Sequence, residues 1–197
     1  MQKENSIVLA GTLADIPAFS HICYERRFYR FALSVARRSG VEDVLPVICE
    51  ERLLPPMPEI GEEFTVSGQL RAYSRCDGGA RLLIAAFCTA LSMGVLEPEN
   101  QVYLSGRLAR PPMYRATPLG REIADLFLAV DRGFGKSDYL PVIAWGRNAR
   151  IAGEWREGDR VEVLGRLQSR AYQKTLPDGA VAERTAYEVS AASVKRG

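Results

Sequence analysis

The stretch Asn5-Ser-Ile-Val-Leu-Ala-Gly-Thr-Leu-Ala14 decides the fold, because it recurs as Asn100-Gln-Val-Tyr-Leu-Ser-Gly-Arg-Leu-Ala109. The two stretches are 95 residues apart, and later matches such as Gly68 with Gly165 are 97 residues apart. Solenoid repeats span only about 20–50 residues, so this longer period indicates a tandem duplication of one domain. Further matches at the first offset are Pro17 with Pro112, Leu33 with Leu128, Val35 with Val130, Arg37 with Arg132, and Leu45-Pro46-Val47 with Leu140-Pro141-Val142.

Each copy has the sequence patterns of strands. In the second copy, apolar and polar residues alternate along a predicted strand that ends near Val130, and Tyr139–Trp145 is predicted as the next strand. Pro141 indicates an edge or a bulge there, and Gly165 indicates a bend in a later, long strand. A short helix is predicted over residues 148–155. The residues predicted to point inward are Ala124, Leu126, Leu128, Val130, Leu140, Val142 and Ala144.

The predicted element order of each copy, β-β-β-α-β-β, is the order of the OB-fold, a five-stranded Greek-key barrel. The sequence therefore predicts an all-β chain with short helices, made of an N-terminal OB-fold over residues 1–96 and a C-terminal OB-fold over residues 97–197. In the first copy, the prolines within Pro55–Pro58 shorten the helix. A last hairpin turn is predicted over Leu176–Gly179. The linker between the copies is short, so the two barrels should pack on each other.

Composition excludes several classes of protein. The 197 residues are 47% hydrophobic and 25% charged, as in an ordinary folded protein. The longest apolar run, Leu82–Leu91, is too short to span a bilayer, and the polar start of the sequence is not expected to act as a signal peptide. The four cysteines are widely spaced and are predicted to be buried free thiols, which fits a cytoplasmic protein without a zinc or redox site. Residues 1–97 have a net charge of −2 and residues 98–197 of +4, which favours a polyanionic partner for the second half.

Four stretches of the second copy carry a resemblance to a known family. They are the opening Asn100–Leu108, the hairpin Tyr114–Arg121, the segment Ile143–Arg147, and the strand Val163–Tyr172. In this order and spacing, they make the second copy similar to the bacterial single-stranded-DNA-binding proteins over about 95 residues.

The resemblance implies a nucleic-acid-binding site. In that family, aromatic side chains that stack on bases follow strand two, lie at both ends of strand three, and lie late in strand four. Stacking tolerates any sequence because every base has a π-face, and phosphates require nearby cations. An aromatic residue in a barrel can instead belong to the core or to an interface, but the agreement of four positions favours stacking. The implied aromatics are Phe134, Tyr139, Trp145 and Tyr172, and the cations near them are Arg121, Lys136, Arg147, Arg166, Arg170 and Lys174.

The first copy departs from this pattern. Ser39, Val44 and Glu50 occupy the positions of the first three aromatics. A carboxylate at a stacking position would repel phosphate, so the first barrel is predicted to have lost the usual site and to serve structure or assembly. Its first hairpin carries an aromatic and basic cluster, which fits either another grip on a nucleic-acid strand or an interface. The members of this cluster are Phe19, His21, Tyr24, Arg26, Arg27, Phe28, Tyr29 and Arg30.

The resemblance also implies an assembly. Family members bring four OB-folds together, and members with two folds per chain do so as homodimers, which we expect here. Typical members continue into a Gly-rich segment and an acidic tip that recruits replication enzymes. The chain ends in the basic Ser193-Val-Lys-Arg-Gly197, so the recruiting role of that tip is not expected to carry over.

The leading hypothesis is therefore a non-catalytic, largely sequence-independent binder and protector of single-stranded DNA in replication, recombination or repair, associated with the nucleoid. A scaffolding protein of the primosome type that binds replication proteins, and a binder of single-stranded RNA, remain alternatives. The sequence has no P-loop, no metal-ligand cluster and only one histidine, so we predict no catalytic residue, no metal and no cofactor. No membrane partner is expected.

Overall fold

The computed structural model of the chain describes residues 4–37, 39–75, 81–94, 97–175 and 179–197. Within them the first copy has six strands, β1 (Asn5–Leu13), β2 (Ala18–Cys23), β3 (Arg26–Ala36), β4 (Glu42–Glu50), β5 (Glu63–Arg75) and β6 (Arg81–Met93), and a 3-10 turn over Glu51–Leu53. The second copy has β7 (Glu99–Leu108), β8 (Met113–Ala116), β9 (Glu122–Gly133), β10 (Lys136–Trp145), helix α1 (Arg147–Gly153), β11 (Arg160–Thr175) and β12 (Val181–Arg196). Residue 96 at the predicted domain boundary, Cys76, and most of the predicted turn at Leu176–Gly179 lie outside the described residues.

Five strands of each copy close into a barrel. In the first copy, β3 pairs with β1 and β4, β4 pairs in parallel with β6, β6 pairs with β5, and β5 pairs with β1. The second copy repeats these pairings with β7, β9, β10, β12 and β11. The prediction of two tandem OB-folds is confirmed. The sixth strands, β2 and β8, are the outer arms of hairpins, and β8 was not predicted as a strand because its four residues are all exposed.

The barrel interiors follow the predicted alternation. All seven residues predicted to point inward are buried in the core. Pro141 pairs with Phe127 of β9, while β12 joins β10 at Val142 and Ile143, just past the proline. In the described residues, the pairing of β10 with β12 therefore begins just after Pro141, and a residue without an N–H is tolerated at such a position. The predicted bend at Gly165 is confirmed, because a bulge lies between Leu164 and Gly165.

Glycine is required where β7 bends from β11 towards β9. A Cβ atom on Gly106 would lie 2.5 Å from the carbonyl oxygen of Ala129. Gly11 repeats this contact in the first barrel, where a Cβ atom would lie 2.2 Å from the carbonyl oxygen of Ser34. These approaches let one strand pair on both sides of the barrel seam, so the repeated glycine closes each barrel.

The helices differ in detail from the predictions. Helix α1 ends at Gly153, two residues before the predicted end, because Trp155 leaves the helix to pack into the core. In the first copy, only a 3-10 turn precedes the run of prolines, as predicted. The prediction of buried thiols is correct for Cys49 and Cys88 but wrong for Cys23, which is exposed in the first hairpin. An exposed hairpin arm has no core to receive that side chain.

The two barrels form one continuous sheet through β1 and β7. These strands are antiparallel, with Ile7 opposite Val102 at the centre of their pairing. The pairing is reciprocal, since Asn5 lies opposite Leu104 while its counterpart Asn100 lies opposite Leu9. A pseudo-two-fold axis therefore relates the barrels, which pack on each other as the short linker predicts.

Candidate nucleic-acid interface

The outer face of the second barrel is formed by β9, β10, β12 and β11. On β10, Tyr139 and Trp145 point outward and are 47% and 39% exposed. Both lie on the face opposite Leu140, Val142 and Ala144, as the strand alternation predicts. Two large aromatic side chains thus remain accessible at the two ends of one strand.

Phe127 of β9 extends this aromatic surface, although it was not among the predicted site residues. Its ring stacks on Tyr139, with 5.8 Å between centroids and 25° between planes. The guanidinium of Arg110 lies 4.8 Å from the Phe127 centroid, on the same aromatic group. The alternation of β9 places Phe127 outward, but pattern alone does not show that it meets Tyr139.

Phe134 occupies the tip of the β9–β10 hairpin. It is fully exposed and has a φ of +54°, between Gly133 at +87° and Gly135 at +70°. The left-handed region is unfavourable for an aromatic residue, and strain of this kind concentrates at functional loops. Lys136, two residues later at the start of β10, is also exposed.

Tyr172 lies on the distal part of β11, opposite Arg184 of β12. Arg170 lies two residues before it on the same face, with its guanidinium 5.9 Å from the Tyr172 centroid. Arg170 is also 3.7 Å from the carboxylate of Glu188, so part of its charge is compensated. Lys174, two residues further along, is exposed. A second group of ring and cations thus shares the outer face.

The remaining predicted cations lie in different surroundings. Arg121 is exposed in the β8–β9 turn, where its backbone nitrogen donates to Thr117 Oγ1 at 3.0 Å. Arg147 is exposed at the start of α1, two residues after Trp145. Arg166 points instead towards the first barrel, 3.6 Å from the Asp43 carboxylate. Arg147 is therefore close to Trp145 in the sequence, whereas Arg166 points to the junction between the barrels.

The equivalent surface of the first barrel lacks these aromatics. Val44 is exposed in the place of Tyr139, and Ala32 replaces Phe127. The interpretation of Glu50 as a repulsive charge is wrong, because its carboxylate lies 2.8 Å from Arg52 and 3.6 Å from Arg26. Sequence pattern did not reveal these pairs, since Arg26 comes from the neighbouring strand.

The cluster predicted in the first hairpin splits between two faces. Phe28 is buried on the outer face and stacks on His21, with 5.0 Å between centroids and 8° between planes. Phe19 and Tyr29 pack edge to face on the other side at 6.0 Å, with the Arg27 guanidinium 5.5 Å from Phe19. Alternation along β3 separates the two groups, so the cluster is not one surface.

Other kinds of site find no support in the described part of the chain. Its His, Cys, Asp and Glu side chains nowhere form a group of three or more that could hold a metal ion. Among the same residues, no helix is long and apolar enough to cross a membrane.

Comparison with known proteins agrees with this geometry. Residues 99–196 match the profile of the single-strand binding protein family. These residues belong to that family. The family match begins at the first residue of β7 and ends at the last residue of β12, so it covers the whole second barrel.

Individual relatives match over shorter segments. The single-stranded DNA-binding protein of Halalkalibacterium halodurans is 36% identical over 80 residues, which cover 37% of this chain and 48% of the relative. The protein of the same name from Thermus thermophilus is 44% identical over 72 residues, covering 34% of this chain and 27% of the relative. The chain thus spans less than half the length of these two curated relatives.

A solved structure matches both barrels. The wild-type single-stranded DNA binding protein from Thermus aquaticus is 25% identical to this chain, with a TM-score of 0.79. The match covers 98% of this chain and 92% of that protein. The tandem arrangement, and not only the second barrel, is therefore similar to a known structure.

Proposed function

We propose that this chain binds single-stranded DNA, with little preference for sequence, through the outer face of the second barrel. The observation that carries this proposal is the stacking of half-buried Phe127 on exposed Tyr139, on the same face as exposed Trp145. Relatives of this half of the chain are named single-stranded DNA-binding proteins. A surface of accessible rings without a deep cavity suits bases that arrive in any order.

The residues divide into two roles. The aromatics stack on bases, each stacked base contributing about 1–3 kcal/mol to binding. The cations around them contact phosphates, and Arg166 does so only with the part of its guanidinium that Asp43 leaves accessible. The stacking residues are Phe127, Phe134, Tyr139, Trp145 and Tyr172, and the phosphate contacts are Arg121, Lys136, Arg147, Arg166, Arg170 and Lys174.

This binding makes and breaks no covalent bond, so the chain acts without catalysis. It protects exposed DNA during replication, recombination or repair in the cytoplasm. The C-terminal OB-fold, residues 97–197, is the main binding domain, and the N-terminal OB-fold, residues 1–96, joins it through β1 and serves structure or assembly. Two chains are expected to pair as a homodimer with four barrels; the likeness to the Thermus aquaticus protein supports the two barrels within one chain.

The test is a titration of the full chain with labelled oligo-dT and oligo-U, followed by fluorescence anisotropy. We expect tight binding of oligo-dT, with a log–log salt slope of about −0.7 per phosphate contacted. Tyr139→Ala should weaken binding about 5- to 100-fold, whereas Tyr103→Ala, on β7 and away from this face, should not. Preference for oligo-U would support the RNA alternative, and binding of neither would support the scaffolding alternative.

A further inference from the structure

The outer face of the first barrel carries aromatic side chains at positions different from those of the second. Four side chains form a continuous row across the sheet, which we call the His21–Arg71 row. His21 stacks on Phe28, the Phe28 and Phe87 centroids are 5.7 Å apart, and the Arg71 guanidinium lies 3.6 Å above the Phe87 ring. The corresponding residues of the second barrel are Ala116, Ile123, Ser190 and Gln168.

The row lies on the face of the first barrel that is equivalent to the interface of the second barrel. Its members belong to β2, β3, β6 and β5, and Ile48 of β4 packs beneath it. Phe28 pairs with Glu50, just as Ile123 pairs with Trp145 in the other copy. The first barrel thus lacks aromatic side chains at the centre of this face and has a row of them displaced along it.

Both ends of the row present planar groups to solvent. The Phe28 ring is only 7% exposed, because His21 covers it. The groups available to a ligand are therefore the His21 imidazole and the Arg71 guanidinium, both of which can stack on a base. A guanidinium over an aromatic ring is also held in a fixed orientation, which lowers the entropy lost on binding.

Two buried polar groups, of Arg71 and Tyr73, lie side by side at the Arg71 end. Arg71 Nε and Tyr73 Oη are buried and make no well-formed hydrogen bond among the described residues. Burial raises the pKa of Tyr73 to about 12, so its hydroxyl keeps its proton and can donate. Both groups are closed to solvent and interact with each other, so they fix the Arg71 end of the row.

The charge of the face favours a polyanion. Arg26 and Arg30 flank Phe28 on the same side of β3, and Arg52 reaches the face from the 3-10 turn. Glu50 pairs with Arg26 and Arg52, while Arg71 lies near Asp138 of the second barrel. An excess of arginines around stacked rings suits a strand of phosphates better than it suits an apolar protein partner.

The row is continuous with the interface of the second barrel. Asp138, the neighbour of Tyr139, accepts a hydrogen bond from the Ala72 nitrogen at 2.9 Å. Ala72 is itself flanked by Arg71 and Tyr73, so the two faces meet at this contact. The backbone segments that carry Tyr139 and Arg71 therefore lie next to each other at the junction between the barrels.

We propose that the His21–Arg71 row is a second stacking site for single-stranded DNA, so that one strand lies over both barrels of a chain. This inference rests on the proposed function and extends it to the barrel that lacks the aromatics of the second copy. The first barrel then lengthens the binding site as well as supporting the assembly.

The test compares affinities of the full chain for a short oligo-dT of about 8 nucleotides, which fits one OB-fold, and one of about 35, which is long enough for two. Both tryptophans lie in the second barrel, so their fluorescence reports that barrel alone. We expect the parent to bind the long oligomer more tightly than the short one, and we call this difference the gain in affinity with length. Arg71→Ala and His21→Ala should each reduce that gain about 10-fold. Quenching by the short oligomer should be unchanged. Arg71→Lys, which keeps the charge without the planar group, should lose nearly as much.

Matched controls separate the possible outcomes. Phe19→Ala, on the opposite face of the same hairpin, should keep the full gain, and thermal melting should show that every variant is folded. A full gain in both Arg71→Ala and His21→Ala, with quenching intact, would overturn the second site and leave the proposed function standing. A changed oligomeric state of these variants with an unchanged gain would show a protein interface instead. Absence of quenching in the parent would refute the proposed function itself.

Discussion

Asp43 of the first barrel accepts hydrogen bonds from both the backbone nitrogen and the hydroxyl of Ser169 in the second barrel, at 2.8 and 3.0 Å. Its carboxylate is buried and also accepts two hydrogen bonds from Arg37. The pseudo-two-fold axis repeats this contact, since Asp138 binds Arg132 and accepts from the Ala72 nitrogen. Each barrel thus places one buried carboxylate on a strand of the other. These reciprocal contacts fix the relative orientation of the two binding faces.

The Asp43 contact should make stability depend on acid. Burial alone would raise the pKa of this carboxyl, but the hydrogen bonds from Arg37 and Ser169 outweigh it and lower the pKa. A carboxyl with a lowered folded pKa stabilises the protein above its unfolded pKa of about 3.9, and this contribution is lost as pH falls through the folded value. Asp43→Asn should therefore reduce the free energy of unfolding at pH 7 by about 1–3 kcal/mol and flatten its decline below pH ~4.

Urea unfolding between pH 2.5 and 7 measures this effect. Glu25→Gln removes an exposed carboxylate from a turn and serves as the control. Its free energy of unfolding should change with pH as that of the parent does. An unchanged slope in Asp43→Asn would show that this carboxylate does not stabilise the junction.

Closure of the second barrel should depend on Gly106. An added Cβ atom would meet the backbone oxygen of Ala129 at 2.5 Å, and a backbone atom cannot move aside as a flexible side chain can. We expect Gly106→Ala to cost about 1–3 kcal/mol of unfolding free energy by denaturant titration. Gly197→Ala, whose new atom would have its nearest contact at 3.5 Å, should be neutral. Equal stabilities of the two variants would remove the steric explanation for the repeated glycine.

The fold was predictable because its signals are local or repeated. Alternation placed Leu140, Val142 and Ala144 inside, and the glycines that match between copies marked the bends. β8 was not predicted as a strand, because a short exposed arm has no buried face to impose a period of two. The end of α1 was misplaced because Trp155 is drawn out of the helix by the core, a tertiary effect.

The candidate site was less predictable, because its partners come from different strands or from the other barrel. The resemblance implied Tyr139, but its contact with Phe127 depends on the register of β9 against β10. Arg166 has the sequence context of a phosphate contact, yet Asp43 of the first barrel lies beside it. Glu50 has the sequence context of a repulsive charge, yet two arginines compensate it.

Phe127 and Tyr139 should act as one stacking unit. Because the two rings are in contact, removing either should disturb the same bound base. In a double-mutant cycle measured by oligo-dT affinity, we expect Phe127→Ala and Tyr139→Ala to couple by about 0.5–3 kcal/mol. The pair Phe127→Ala and Tyr172→Ala, on strands that do not pair with each other, should be nearly additive. Additivity in both cycles would mean that the stacked pair does not bind as a unit.

The most direct test of the second barrel as the binding site uses its two tryptophans, Trp145 at 39% exposed and Trp155 at 7% exposed. Trp155→Phe leaves Trp145 as the reporter, and Trp145→Phe leaves the buried Trp155. We predict that oligo-dT quenches the fluorescence of Trp155→Phe as strongly as that of the parent, because a base stacks on Trp145. The same oligomer should bind Trp145→Phe by anisotropy with almost no quenching. Full quenching in Trp145→Phe, or none in Trp155→Phe despite binding, would contradict the proposed interface.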